Sequence, residues 1–261
     1  MANSQSPIPN LTSPLDKMPS CPTVEILGVP VHAVTMTETL AWVRRFMREE
    51  GVHQIATVNP EFVMKAQTDE RFMQVLREAD LCLPDGVGLL YAARYQGERL
   101  PERVPGSELV YYLAELAARE GWRLYLLGAA PGVAEAAAEI LRERYPRLVI
   151  AGTYAGSPDP GENEGIVARI NESEAEMLYV AYGAPRQDKW IARNKETLAT
   201  VRVAVGVGGS LDFITGRAVR APRWVQTVGL EWLHRLLHEP WRWRRMLALP
   251  RFALRVIFRG R

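Results

Sequence analysis

The sequence is poor in the residues that build covalent or metal-held frameworks. It has two cysteines, Cys21 and Cys82. Neither shows CxxC spacing or a histidine cluster beside it, so no disulfide framework and no zinc site is indicated. A reducing cytoplasm is the expected compartment. No apolar run approaches the length of a spanning helix. No GxGxxG follows the first strand, with no acid about 20 residues beyond, so the fingerprint of a nucleotide-dependent oxidoreductase is missing. A DxD pair at a strand end is missing too, and no recognised nucleic-acid-binding module is present. Met1 to Pro22 contains five prolines and no apolar h-region. It reads as a flexible leader (1–22) and not a signal peptide.

Lysine is absent from residues 217–261, although arginine is abundant there. That segment holds eleven arginines against Glu231 and Glu239, a net +9 that leaves −7 for residues 1–216 within an overall +2. A basic segment on an acidic body seeks phosphate, whether on a membrane, a nucleic acid or a substrate. Arg251, Arg255 and Arg259 recur every four residues, while Phe252, Leu254, Val256, Ile257 and Phe258 supply apolar surface. Trp224, Trp232, Trp241 and Trp243 add interfacial aromatics. The pattern fits a helix lying among lipid headgroups, or a basic tail packed on its own body or on a neighbouring subunit. The residues alone leave both open.

What the sequence has in quantity is strand alternating with helix. Hydrophobic residues make up 48% of the chain, enough to fill a core for residues 23–216. Strands are expected at 24–27, 54–58, 81–83, 124–127, 149–152, 177–181 and 201–207. Helices are expected over 35–50, 60–79, 86–96, 107–120 with Ser107 as N-cap, 133–145, 164–172 and 185–198. That alternation predicts an α/β fold with a mostly parallel sheet and helices on both faces.

Polar groups recur where strands end, the edge at which open α/β sheets place their chemistry. In Leu83-Pro84-Asp85-Gly86-Val87-Gly88 a short buried strand is stopped by Pro84 and followed by an acid. On this stretch alone an N-cap is the readier reading of Asp85, and Arg103, between Pro101 and Pro105, reads as a loop cation. Thr57 and Asn59 end another strand before Pro60, as ligands or as caps. Gly128 opens a small-residue turn whose amides could cradle a phosphate. Gly183-Ala184-Pro185-Arg186-Gln187-Asp188 opens a helix; capping explains Asp188 but not Arg186 or Gln187. Gly206, Gly208 and Gly209 allow close approach of backbone to a ligand, or tight packing. Asp212 beyond them reads equally as a ribose or uracil contact and as a cap.

These motifs, in this order, resemble the WecG/TagA/CpsF glycosyltransferase family. The match runs through Thr57-Val58-Asn59-Pro60-Glu61, Pro84-Asp85-Gly86-Val87-Gly88, Glu102-Arg103-Val104-Pro105-Gly106, Gly183 to Trp190 and Gly206 to Ser210. It continues in Gly229-Leu230-Glu231-Trp232-Leu233-His234-Arg235-Leu236 and Glu239-Pro240-Trp241-Arg242, covering about residues 24 to 258. The resemblance implies transfer of an N-acetylmannosamine-type sugar or related hexose from a UDP-sugar donor to a polyprenyl-diphosphate-linked acceptor. It implies inversion, no metal ion and no cofactor. Asp85 falls on the family's general base, Thr57, Asn59, Arg103 and Gln187 on substrate positions, and Arg235, Arg242 and Arg245 on arginines of a C-terminal appendage, here 217–261. The appendage is then expected on the anionic inner face of the membrane, with no nucleic-acid partner; a homo-oligomer is left open. UDP-glucose or the uronic-acid form of the donor stays as the alternative. Glu108 and Tyr182 depart from the family pattern, at a position usually Asp and at one usually a smaller aliphatic.

Overall fold

The computed structural model describes residues 21–218, 222, 225, 233, 236 and 246–259. Its centre is a six-stranded sheet built from β3 (His53–Val58), β4 (Leu81–Pro84), β5 (Arg123–Gly128), β6 (Val149–Tyr154), β7 (Met177–Ala181) and β8 (Val203–Gly206). The strands stand in the order β4-β3-β8-β7-β5-β6, and every neighbouring pair is parallel. Runs such as Met177–Ala181, buried at all five positions, belong in a sheet covered on both faces.

On one face lie α1 (Met36–Phe46), α5 (Gly106–Glu120), α6 (Val133–Arg144) and α9 (Ser210–Ile214). Leu40, Leu113, Leu141 and Leu211 from these helices meet Ile55, Leu83, Leu126 and Val205 of the sheet. The other face is covered in two parts. α2 (Pro60–Ala66), α3 (Glu70–Arg77) and α4 (Val87–Tyr95) pack on Ala56, Val58 and Cys82, whereas α7 (Asn163–Glu172) and α8 (Arg186–Asn194) pack on Leu127, Leu178, Val180 and Ala204. The expected α/β class is what the chain forms.

Local differences have local causes. The strand expected at 24–27 is half of an antiparallel hairpin, β1 (Thr23–Ile26) with β2 (Val29–His32), outside the main sheet. Leu27 and Gly28, both at positive φ, make its turn, and Val24, Ile26, Val29 and Val31 point inward. The helix expected over 60–79 is two, because the Asp69 carboxylate accepts from the Phe72 N–H at 3.1 Å and starts α3 afresh. Ser107 is not a cap: α5 begins one residue earlier, with Pro105 in the cap position. The first helix stops at Phe46, four residues short of the expected end.

A last helix, α10 (Ala248–Arg259), returns to the body. Its Phe252 and Val256 are buried and join the core made by Phe62, Val63 and Leu89. Burying two such side chains contributes about 1.5–3 kcal/mol each. Among the described residues no helix is long and apolar enough to cross a membrane.

Candidate active site

The carboxyl ends of β4, β3 and β8 are adjacent, and most of the expected residues that the structure describes gather there. Pro84 ends β4, and the Asp85 N–H still pairs with the Val58 carbonyl of β3 at 2.8 Å. The chain then turns sharply. A Cβ on Gly86 would lie 2.6 Å from Pro60 Cδ, and one on Gly88 2.9 Å from Pro60 Cγ, so only glycine lets this corner close on the start of α2. Gly86, not Asp85, is the cap position of α4, and no side chain caps that helix. Asp85 is instead half-buried and reaches across to α5, where its Oδ1 accepts the Gly106 N–H at 3.1 Å. The capping reading of Asp85 is thereby replaced.

The segment that brings α5 to this corner carries Arg103. It is anchored by the Val104 N–H donating to the Pro84 carbonyl at 2.8 Å, and by the Glu102 carboxylate accepting from the Met36 N–H. Arg103 is half-buried and lies three residues before the opening of α5, whose first N–H is the one that Asp85 accepts. Thr57, buried on β3, sits against Gly106, where an added Cβ would come within 3.1 Å of its methyl group. Its hydroxyl donates to the Gly206 carbonyl of β8 at 3.3 Å. Asn59, at the mouth of the same strand, caps α2 by accepting from the Phe62 N–H at 3.1 Å. Thr57, Asn59, Asp85 and the start of α5 therefore form one cluster at two neighbouring strand ends.

Gln187 is held beside it on the β8 side. The side chain is buried, and its Oε1 accepts the Gly208 N–H at 2.9 Å, fixing the glycine turn after β8. A Cβ on Gly206 would fall 2.6 Å from Gln187 Nε2 and 2.9 Å from Asp188 Oδ1, so packing alone requires glycine there. Asp188 is fully buried, and among the described residues neither of its carboxyl oxygens finds a donor on another residue. Burial pushes its pKa up to about 7. It is not the expected cap, since Pro185 holds that position and no side chain caps α8. The Gln54 amide donates to the Asp188 carbonyl at 3.0 Å, and Lys189 pairs with Asp69, so the first turn of α8 is pinned to β3 and α3.

Two expected residues stand apart. Gly128 ends β5, three strand spacings from β3 or about 14 Å, and its φ of +99° and close contacts with Ala181 and Tyr182 account for the glycine by packing. Tyr182 covers it, edge-on to Trp190 at 6.2 Å between ring centroids. Asp212 lies half-buried inside the first turn of α9, where Gly209 is the cap position and no side-chain cap is made. Arg235, Arg242 and Arg245, and the four tryptophans of the tail, lie outside the described residues. Among the described residues no group of three His, Cys, Asp or Glu side chains could hold a metal ion.

The sequence as a whole matches the glycosyl transferase WecG/TagA/CpsF family over residues 24–261. The chain belongs to that family. As a member it shares 36% identity over 237 residues with the N-acetylglucosaminyldiphosphoundecaprenol N-acetyl-beta-D-mannosaminyltransferase of Bacillus subtilis (strain 168), across 90% of this chain and 91% of that protein. It shares 31% over 235 residues with the protein of the same description from Staphylococcus aureus (strain MRSA252), across 89% and 91%. The similarity spans the whole WecG/TagA/CpsF unit, strand-end cluster and C-terminal segment together. The residue that sequence reasoning passed over is Asp188, whose place in a first helical turn made it look like a cap.

Proposed function

We propose that this WecG/TagA/CpsF glycosyltransferase moves N-acetylmannosamine from UDP to N-acetylglucosamine carried on a polyprenyl diphosphate. The descriptions of its relatives in Bacillus subtilis and Staphylococcus aureus support the sugar and the acceptor. The observation that carries the chemistry is Asp85: a half-buried carboxylate, at the mouth of two adjacent strands, oriented by a backbone N–H instead of spent on capping its own helix.

The reaction runs as a direct displacement. A hydroxyl of the acceptor N-acetylglucosamine attacks the anomeric carbon of the donor from the side opposite UDP. As the new C–O bond forms, the bond to the β-phosphate oxygen breaks, the anomeric centre inverts, and the hydroxyl proton passes to Asp85. General-base help of this kind typically gives about 10²- to 10⁴-fold. Charge developing on the departing β-phosphate needs fixed cations and N–H dipoles. Arg103 and the arginines at 235, 242 and 245 supply the first by bidentate hydrogen bonds. The positive end of the α5 dipole, which opens three residues past Arg103, supplies the second. In this reading no metal ion and no cofactor takes part, Thr57, Asn59 and Gln187 line the donor side, and the basic segment 217–261 holds the enzyme at the inner face of the membrane.

Incubation of the protein with a panel of UDP-sugars and a lipid-diphosphate N-acetylglucosamine tests the reading. Transfer from UDP-N-acetylmannosamine supports it. Transfer only from UDP-glucose or from the uronic-acid form corrects the donor, and no transfer with any of them refutes it.

A further inference from the structure

The exposed apolar side chains outside the site are not scattered. Among the described residues, large hydrophobic side chains are exposed at eight positions, and five of these, Tyr91, Tyr95, Leu254, Ile257 and Phe258, stand on α4 and α10. Phe258 is 80% exposed and Tyr91 65%. Grouped apolar exposure of this kind marks an interaction surface.

The two helices lie side by side and run in the same sense. Near the start of α4, the Cβ position of Gly88 is 3.8 Å from the Phe252 ring. Near the end, the Tyr95 hydroxyl donates to the Ile257 carbonyl at 3.4 Å. α10 is buried along Phe252 and Val256, and helical spacing sets Leu254, Ile257 and Phe258 on its far side. Tyr91 and Tyr95, one turn apart, face away from the buried Leu89, Ala92 and Ala93 of α4. α10 thus has two apolar faces, one spent on the body and one unspent.

Charge identifies what covers the unspent face. α4 and α10 carry Arg94, Arg251, Arg255 and Arg259 and no acidic residue. A second copy of the chain meeting this face through a two-fold axis would set those arginines against themselves. An anionic bilayer suits both components, taking the apolar side chains into the acyl boundary and the guanidinium groups among the headgroups. Tyrosine, apolar with a polar tip, belongs at that boundary.

We propose that α4 and α10 form one bilayer-docking face, in which Tyr91 and Tyr95 of the body insert beside Leu254, Ile257 and Phe258 of the last helix. The proposal rests on the reading that the acceptor is lipid-linked, and it extends membrane contact from the C-terminal segment onto the catalytic body. α4 opens two residues after Asp85. Tyr91 is six residues beyond Asp85, about 9 Å at the 1.5 Å rise of a helix. Docking through α4 therefore keeps the carboxylate close to the bilayer surface, where a diphosphate headgroup lies.

The test takes the full chain and two double variants, Tyr91→Ser with Tyr95→Ser and Ile257→Ser with Phe258→Ser. Binding is measured to vesicles of phosphatidylglycerol and phosphatidylcholine, with phosphatidylcholine alone as control. Each double variant is expected to bind the anionic vesicles about tenfold more weakly, and to lose about as much transfer to a polyprenyl acceptor embedded in them. Transfer to a short-chain, water-soluble acceptor stays at the parent level, because none of the four residues belongs to the site, and an unchanged melting temperature verifies the fold. Parent-level vesicle binding by the Tyr91/Tyr95 variant overturns the proposal. So does a dimer, seen by light scattering, that these substitutions dissolve while vesicle binding persists. Should the parent transfer no sugar to any acceptor yet bind vesicles through the tyrosines, the functional reading fails and the docking face stands.

Discussion

The Oδ1 oxygen of Asp85 accepts the Gly106 N–H at 3.1 Å, joining the end of β4 to the first residue of α5 across 21 residues of sequence. Arg103 lies on the segment between them. Asp85 and Arg103, proposed above as base and as leaving-group cation, are thus set by one short connection, anchored at Val104 by the Pro84 carbonyl.

Replacing the carboxylate leaves this scaffold nearly intact. Asp85→Asn keeps an oxygen for the Gly106 N–H but cannot take a proton. Turnover is expected to fall about 10²- to 10⁴-fold, while UDP still raises the melting temperature as it does in the parent. Undiminished turnover removes Asp85 from its role.

Gln187→Leu keeps approximate volume and withdraws the acceptor from the Gly208 N–H, leaving a donor unmet at a cost of about 1–3 kcal/mol. The turn after β8 loosens. The KM for the UDP-sugar is expected to rise by more than kcat falls, measured by initial rates; a lowered melting temperature with unaltered kinetics would assign Gln187 a purely structural part.

Gly206→Ala forces a methyl group to within 2.6 Å of Gln187 and 2.9 Å of Asp188 in a packed layer. Overpacking of this kind costs about 1–3 kcal/mol, visible as a melting temperature several degrees lower. A variant as stable as the parent would mean that α8 can draw back from the sheet.

Asp188 makes stability depend on pH. Its carboxyl titrates at about 7 in the folded chain, raised by burial from an ordinary value of 3.8. The folded state therefore holds a proton that the unfolded state has lost, and stability falls as pH rises from about 4 through 7. Asp188→Asn abolishes that dependence. The variant is expected to gain on the parent by up to a few kcal/mol above pH 7, with the difference shrinking toward pH 4, as read by urea unfolding across that range. A constant difference at all pH values would contradict the assignment.

The parallel core was legible because buried runs such as Leu124 to Leu127 and Met177 to Ala181 have no polar alternation. The corner at Asp85 was legible because Pro84 must end a strand and Gly86 must bend sharply. Other features depend on contacts that spacing does not encode. Nothing near Asp85 in the sequence announces Gly106 as its partner. A carboxylate at the start of a helix looks the same whether it caps, like Asp69, or is driven into the sheet beneath Gly206, like Asp188. The β1–β2 hairpin was half hidden by Leu27 at positive φ and by Pro30 within a strand.

The strand order has a consequence for how the molecule is made. β8, the last of the described strands to leave the ribosome, lies between β3 and β7 in the middle of the sheet. Until it arrives, the nascent chain holds two half-sheets, each with a bare inner edge of the kind that invites wrong pairing. Thr57 and Gln187 meet their partners at Gly206 and Gly208 only when that gap closes. The strand-end cluster around Thr57 and Gln187 is thus completed last, by the strand that fills the middle of the sheet.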